Sequence, residues 1–202
     1  MKEKSWLLKN VVPLSAYVFI ILVIFLAQLF LPANYVISIA AMLMLFPVLF
    51  KSDRNWFSHD PRGVGIGIIV SAILLLIYAA VIFFYGLYEG KTLSWNQLSV
   101  SFILTQLLLV ALPEEVFFRG YLQTRLGNNI KGIIIVSLLF AVGHFITLCI
   151  GGGYSISICA QSILTFFPSL VMGYLYFATK SLWASIIFHF FANIVHIAIA
   201  LS

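Results

Sequence analysis

Apolar residues form seven long runs along the chain, and short polar segments separate them. A helix needs about 20 mostly apolar residues, at 1.5 Å each, to cross about 30 Å of hydrocarbon. The pattern therefore predicts an all-α, polytopic membrane helix bundle with about seven transmembrane helices. The runs cover residues 11–31, 35–50, 64–88, about 98–125, 133–150, about 156–179 and 182–201.

The second and fourth runs each contain a proline, and the first run has to be distinguished from a signal peptide. The second run is the shortest and contains Pro47, and the fourth contains Pro113. Because proline removes a backbone donor and clashes with the preceding turn, Pro113 is expected to kink the fourth helix or to start a new segment. The first run has no small-residue cleavage site and is followed by further spans, so we interpret it as a transmembrane helix.

The distribution of Lys and Arg predicts the orientation. If the N-terminus is cytoplasmic, that side collects nine basic residues, without Arg119, and the other side has only Lys91. Cytoplasmic loops carry such an excess, which predicts a cytoplasmic N-terminus.

Composition agrees with a membrane protein, since 63% of the residues are hydrophobic and 8% are charged. The net charge of +5 does not indicate nucleic-acid binding, because the basic residues are scattered at helix ends. Cys149 and Cys159 have no CxxC or His-rich neighbours, so we interpret them as small buried hydrophobic residues; neither a zinc site nor a disulfide is implied.

One stretch in the fourth run places Glu114, Glu115 and Arg119 inside apolar sequence. Ionisable groups at membrane depth are costly and indicate function. Glu115 and Arg119 are four residues apart and share a helix face, so an ion pair between them is expected. Glu114 points about 100° away and is left available for chemistry. A purely structural charge cluster is the alternative.

The fifth and seventh runs carry further polar groups. His144 follows Phe140 by four residues, and Phe140 is expected to shape a pocket wall. His189 and Asn193 are also four residues apart, and their donors are suited to an oxyanion or a water. Contacts between helices are the alternative for this pair and the main expectation for His196.

Helix geometry places these groups at similar depths. At 1.5 Å per residue, Glu114 lies about 16 Å from Arg125 and His144 about 18 Å from Gly132. His189 and Asn193 lie about 12 and 18 Å from Ser181. A shared site near the middle of the membrane is therefore expected.

Three motifs in this order resemble those of the CPBP (CAAX protease and bacteriocin-processing, Abi) family of intramembrane proteases. They are EExxxR at Glu114, Glu115 and Arg119, FxxxH at Phe140 and His144, and HxxxN at His189 and Asn193. The resemblance implies that Glu114 with His144 activates a water and that His189 with Asn193 stabilises the oxyanion. Glu115, Arg119 and Phe140 would be supporting residues.

A zinc-dependent version of the same protease is the first alternative, with Glu114, His144 and His189 as ligands. The chain has no HExxH motif, and Asn193 is a better oxyanion donor than zinc ligand, so a mechanism without a cofactor is favoured. The second alternative is a protein that does not catalyse a reaction, either a peptide-binding immunity factor or a proton-coupled transporter.

The resemblance also implies a division of the chain and a setting. Residues 1–97 are expected to form three N-terminal spans, and residues 98–202 a catalytic bundle of four. The expected partners are the lipid bilayer and a membrane-anchored protein or peptide, without nucleic acid, in a bacterial or archaeal cell membrane. The sequence does not indicate the oligomeric state.

Overall fold

Helices make up nearly all of the computed structural model, which describes residues 2–50, 54–57, 61–90, 93–95 and 98–201. Within these ranges, five segments are long and apolar enough to cross a membrane: Val11–Phe30, Pro61–Glu89, Val100–Leu126, Ile130–Ile150 and Ile156–Thr179. Ala33–Val48 and Leu182–Ala198 are shorter apolar helices that correspond to the second and seventh runs. The predicted all-α membrane bundle is confirmed. Lys51 and Lys91, which enter the orientation count, lie outside the described residues.

The segments follow one another with short connections. The α-helices are α1 (Lys2–Phe30), α2 (Ala33–Met44), α3 (Phe46–Phe50), α4 (Pro61–Glu89), α5 (Val100–Thr105), α6 (Leu112–Glu115), α7 (Thr124–Leu126), α8 (Ile130–His144), α9 (Ile156–Leu164), α10 (Phe166–Thr179) and α11 (Leu182–Ala198). Arg54–Phe57 forms a 3₁₀ turn. In the described part of the chain, three π-helical segments continue the neighbouring α-helices: Gln106–Ala111, Val116–Gln123 and Phe145–Ile150.

Prolines account for two of the breaks. The second run divides at Leu45, just before Pro47, and the sixth divides at Thr165, just before Pro168. Proline cannot donate the backbone hydrogen bond that would continue the preceding turn. Pro113 acts differently, because the helix continues past it from Val100 to Leu126 and changes between α and π turns around it.

The end of the seventh run differs from the prediction. We expected helix as far as residue 201, but α11 ends at Ala198, and strand β2 (Ile199–Leu201) pairs antiparallel with strand β1 (Leu93–Trp95). The hydropathy of three residues carries no information about main-chain pairing with a segment about 100 residues away. The pairing joins the end of α11 to the connection that follows α4.

The largest apolar cluster surrounds the helix that carries Glu114 and Glu115, the acidic pair. Phe117, Phe118 and Leu122 on that helix are buried by side chains from α1, α2, α8, α10 and α11. Tyr17 on α1 joins this cluster and donates a hydrogen bond to the Leu139 carbonyl of α8, at 2.8 Å. The charged residues of the fourth span are thus held in a packed interior.

Helix α4 packs against α11 at backbone contact. A Cβ atom added at Gly67 would lie 2.7 Å from the Cα of Ala184, whereas one added at Gly65 would meet no atom within 4 Å. We expect Gly67→Ala to destabilise the fold by about 1–3 kcal/mol, the usual effect of overpacking. Thermal unfolding in detergent measures this, with Gly65→Ala as the matched control. Equal unfolding temperatures for the two variants would contradict the close approach.

A disulfide joins Cys149 and Cys159, which corrects the interpretation of these cysteines as unpaired hydrophobic residues. Both are buried, and their Cα atoms are 4.7 Å apart across the turn that contains residues 151–153. The pairing depends on how the chain folds back between two helices, which the residues next to each cysteine do not indicate. The disulfide lies at the end of the fifth span opposite Lys131.

Candidate active site

Glu114 and Glu115 lie in a single α-helical turn between two π-helical segments. This turn, α6, follows Gln106–Ala111 and precedes Val116–Gln123, and Pro113 stands near its start. π-Helical turns are rare and occur frequently at functional sites. A third one begins directly after His144. The irregular backbone therefore lies next to the residues of the first two motifs.

Glu115 and Arg119 form the ion pair that their spacing predicted. Arg119 Nη1 donates to Glu115 Oε1 at 3.0 Å, and both side chains are fully buried. Arg119 Nη2 also donates to the carbonyl oxygen of Ser169 at 3.1 Å and to its Oγ at 2.8 Å. The guanidinium thus ties α6 and the following π segment to α10.

His189 shares the same carboxylate oxygen. Its Nδ1 lies 2.9 Å from Glu115 Oε1, which already accepts from Arg119. The other ring nitrogen, Nε2, lies 3.7 Å from Glu114 Oε2. Glu115 therefore contacts a second motif and does more than neutralise Arg119. A proton on Nδ1 satisfies the ionised Glu115 and directs Nε2 towards Glu114.

His144 is oriented by its own helix. Its Nδ1 lies 3.0 Å from the carbonyl oxygen of Phe140, which can only accept, so Nδ1 carries the proton and Nε2 is available as an acceptor. The two rings are 4.3 Å apart, and the Phe140 ring also meets His189 at 5.9 Å. The Arg119 guanidinium carbon lies 5.0 Å from the Phe140 ring centre. Phe140 thus packs between the charged pair and both histidines.

Asn193 lies one turn beyond His189 on α11. Its Nδ2 donates to Gln106 Oε1 at 3.1 Å, at the start of the first π segment. His196 forms a hydrogen bond of 2.8 Å with the Tyr78 hydroxyl group on α4. The contact between helices that we expected for His196 is therefore confirmed, and Asn193 is placed against the helix of the acidic pair.

Exposure separates the two glutamates. The Glu115 side chain is fully buried, whereas 16% of the Glu114 side chain is exposed. Glu114 Oε2 and Glu115 Oε2 are both buried and have no hydrogen-bond partner among the described residues. Glu114 Oε2 also lies 3.7 Å from His189 Nε2, and a carboxylate oxygen in such a position can accept a proton.

Glu114, His144 and His189 are the side chains that a zinc-dependent mechanism would need as ligands. Catalytic zinc takes three protein ligands about 2.0–2.2 Å from the metal. Among the described residues, no three side chains of His, Cys, Asp or Glu come together closely enough to share one ion. Glu114, His144 and His189, as they are arranged, do not fit a three-ligand zinc site.

The structure brings six of the seven predicted residues into one connected group, and Asn193 lies at its edge. The connected residues are Glu114, Glu115, Arg119, Phe140, His144 and His189. Sequence reasoning missed Ser169 and Gln106, which bond to members of the set. The sequence could have indicated Gln106, because it is an uncharged polar residue inside an apolar run, two turns from Glu114. Ser169 could not be found in this way, because serine is common in membrane helices.

Known proteins place the chain in a family. A family model described as type II CAAX prenyl endopeptidase Rce1-like matches residues 95–195, half of the chain. A relative in Bacillus subtilis (strain 168), the uncharacterized protein YpbD, is 31% identical over 111 residues, which are 52% of this chain and 56% of YpbD. The match thus spans little more than half of that relative. No solved structure matches the chain. The three motifs lie within the matched residues, and the chain belongs to the Rce1-like, type II CAAX prenyl endopeptidase group of CPBP proteins.

Proposed function

We propose that the protein is an intramembrane endopeptidase in which Glu114 activates a water for attack on a peptide bond. The single observation that carries this proposal is the contrast between the two glutamates. Glu115 is fully buried and its Oε1 is shared by Arg119 and His189, whereas 16% of the Glu114 side chain is exposed and its Oε2 faces His189 Nε2 at 3.7 Å. Membership of a CAAX endopeptidase family supports the same reaction class.

Glu114 is the general base of this mechanism. Its Oε2 removes a proton from water while the water oxygen attacks the scissile carbonyl carbon. His144, whose Nε2 is a free acceptor when Nδ1 donates to Phe140, holds the second hydrogen of the same water. The carbonyl oxygen then becomes an oxyanion, and the proton on Glu114 passes to the leaving amine as the tetrahedral intermediate collapses.

His189 and Asn193 are the donors for the oxyanion. Because His189 Nδ1 is committed to Glu115, its Nε2 donates only when the ring carries both protons. The carboxylates of Glu115 and Glu114 lie 2.9 Å and 3.7 Å from the two ring nitrogens. Asn193 adds an uncharged N–H donor one turn away. Donors of this kind act in a site from which most water is excluded, where they are worth far more than in bulk water.

The substrate is a membrane-anchored protein or peptide cleaved near the middle of the bilayer. Prenylated CAAX proteins, leader peptides and C-terminal sorting tails are the candidates that the family implies. The Bacillus subtilis relative favours a bacterial membrane. In this proposal residues 1–97 supply three spans, residues 98–202 form the catalytic bundle, and the N-terminus is cytoplasmic.

One experiment distinguishes a peptidase from a transporter. The purified protein is reconstituted in liposomes with three labelled probes: a prenylated CAAX peptide, a leader peptide and an apolar sorting tail. We expect fragments from at least one probe, identified by mass spectrometry, and no fragments from a Glu114→Gln variant. Gradient-driven uptake of intact peptide, without fragments, would support the transporter instead.

Metal removal is expected to leave cleavage unchanged, because the proposed base and donors are all side chains of this protein. The measurement combines metal analysis of the purified protein with activity after treatment with a chelator and after zinc is restored. One tightly bound zinc per chain, lost with activity and regained with it, would replace the glutamate mechanism by the zinc-dependent alternative.

A further inference from the structure

A polar contact outside the three motifs joins the oxyanion side of the site to the helix of the acidic pair. Asn193 Nδ2 donates to Gln106 Oε1 at 3.1 Å, between residues 87 positions apart in the sequence, and both side chains are partly buried. Gln106 begins the π-helical segment that leads into Pro113 and Glu114. Within the apolar part of this span an amide side chain needs a partner, and Asn193 supplies it.

The chemistry of the asparagine amide gives this contact a consequence. Asn193 can present either Nδ2, a donor, or Oδ1, an acceptor, to a developing negative charge, and the two orientations differ by a rotation of about 180°. In the structure Gln106 turns its Oε1, which can only accept, towards Asn193, and this arrangement holds Nδ2 facing the helix of Glu114. One N–H is used by Gln106, and the second remains for the oxyanion.

We propose that Gln106 is a positioning residue. It fixes the orientation in which the Asn193 amide donates, and it holds that amide at a constant distance from the helix that carries Glu114. This inference rests on the proposed peptidase function. Without Gln106 the amide rotates freely, and in part of the molecules Oδ1 points towards the oxyanion and repels it. Positioning of this kind changes the rate of the chemical step and not the binding of the substrate.

A double-mutant cycle tests the proposal on the full-length protein, with the probe peptide that the wild type cleaves fastest. Removal of one oxyanion donor typically costs about 10²- to 10³-fold in kcat, and loss of its orientation alone should cost less. We expect Gln106→Met, which keeps the length but has no acceptor, to lower kcat roughly tenfold with KM nearly unchanged. Added to Asn193→Ala, it should lower kcat no further, because its effect passes through Asn193.

Two further variants separate this role from a structural one. Gln106→Glu keeps an acceptor oxygen at the same distance from the backbone, so its kcat should lie closer to wild type than that of Gln106→Met. Gln161→Met makes the same replacement at an exposed position of α9, and it should leave kcat unchanged.

Three outcomes would overturn the inference. Wild-type kcat in Gln106→Met, with Asn193→Ala impaired, would remove Gln106 alone and leave the proposed function intact. Multiplying losses in the double variant would show that Gln106 acts independently of Asn193. Full activity of Asn193→Ala would remove the oxyanion role itself, and with it the reason for positioning.

Discussion

Replacing Glu114 by glutamine is expected to lower peptide cleavage by about 10²- to 10⁴-fold, the usual contribution of a general base. Glutamine has nearly the same shape but cannot take a proton from water. The variant should fold normally, because Glu114 is partly exposed and its Oε2 has no hydrogen-bond partner in the described part of the chain. The measurement is the rate of fragment formation, together with the unfolding temperature in detergent.

A matched control for this variant is Glu89→Gln, at the exposed end of α4. It removes the same charge away from the site, and we expect wild-type cleavage. Wild-type cleavage by Glu114→Gln would remove Glu114 as the base. Loss of activity together with a large fall in unfolding temperature would instead indicate that Glu114 supports the fold, as in the alternative of a structural charge cluster.

Replacing Arg119 by alanine is expected to destabilise the protein by about 3–5 kcal/mol, because it leaves a buried carboxylate without its partner. Arg119 is fully buried and bonds to Glu115 and to two atoms of Ser169. Since Glu115 also holds His189, the loss should extend from the packing of α10 to the orientation of α11. Unfolding temperature and the yield of folded protein measure the effect, and activity should fall with them.

Arg125→Ala is the matched control for the loss of Arg119. Arg125 lies near the end of the same span, is exposed and lies 5.8 Å from the Tyr121 ring, so its removal should change stability little. Replacing both members of the pair, as in Glu115→Gln with Arg119→Met, leaves no uncompensated charge and should recover part of the stability. Equal stability of Arg119→Ala and Arg125→Ala would contradict the ion pair.

Some features could be predicted because they depend on local periodicity. The number of spans follows from the length of the apolar runs, and the five long helices and two shorter ones correspond to them. The Glu115–Arg119 pair follows from the four-residue spacing on a helix, and it is present at 3.0 Å. The second run, which is the shortest and contains Pro47, is divided into α2 and α3.

Other features depend on how distant segments meet, and the sequence carried no sign of them. The disulfide needs a particular return of the chain between Cys149 and Cys159, and the strand pair needs the two ends of different spans to lie side by side. The contact of His189 with Glu115 joins two residues that are 74 positions apart in the sequence and lie on different helices. Estimates of depth could place the two at similar levels, but not in contact.

By itself, the sequence determined that this chain is a membrane helix bundle with three ordered polar motifs, because hydropathy and helical spacing are properties of consecutive residues. Four-residue spacing already paired Glu115 with Arg119 and set Glu114 apart from them. Only the tertiary structure shows that His189, from another helix, also contacts Glu115, and how far each carboxylate is exposed. Arg119 and His189 occupy Glu115, whereas Glu114 is left partly exposed beside His189.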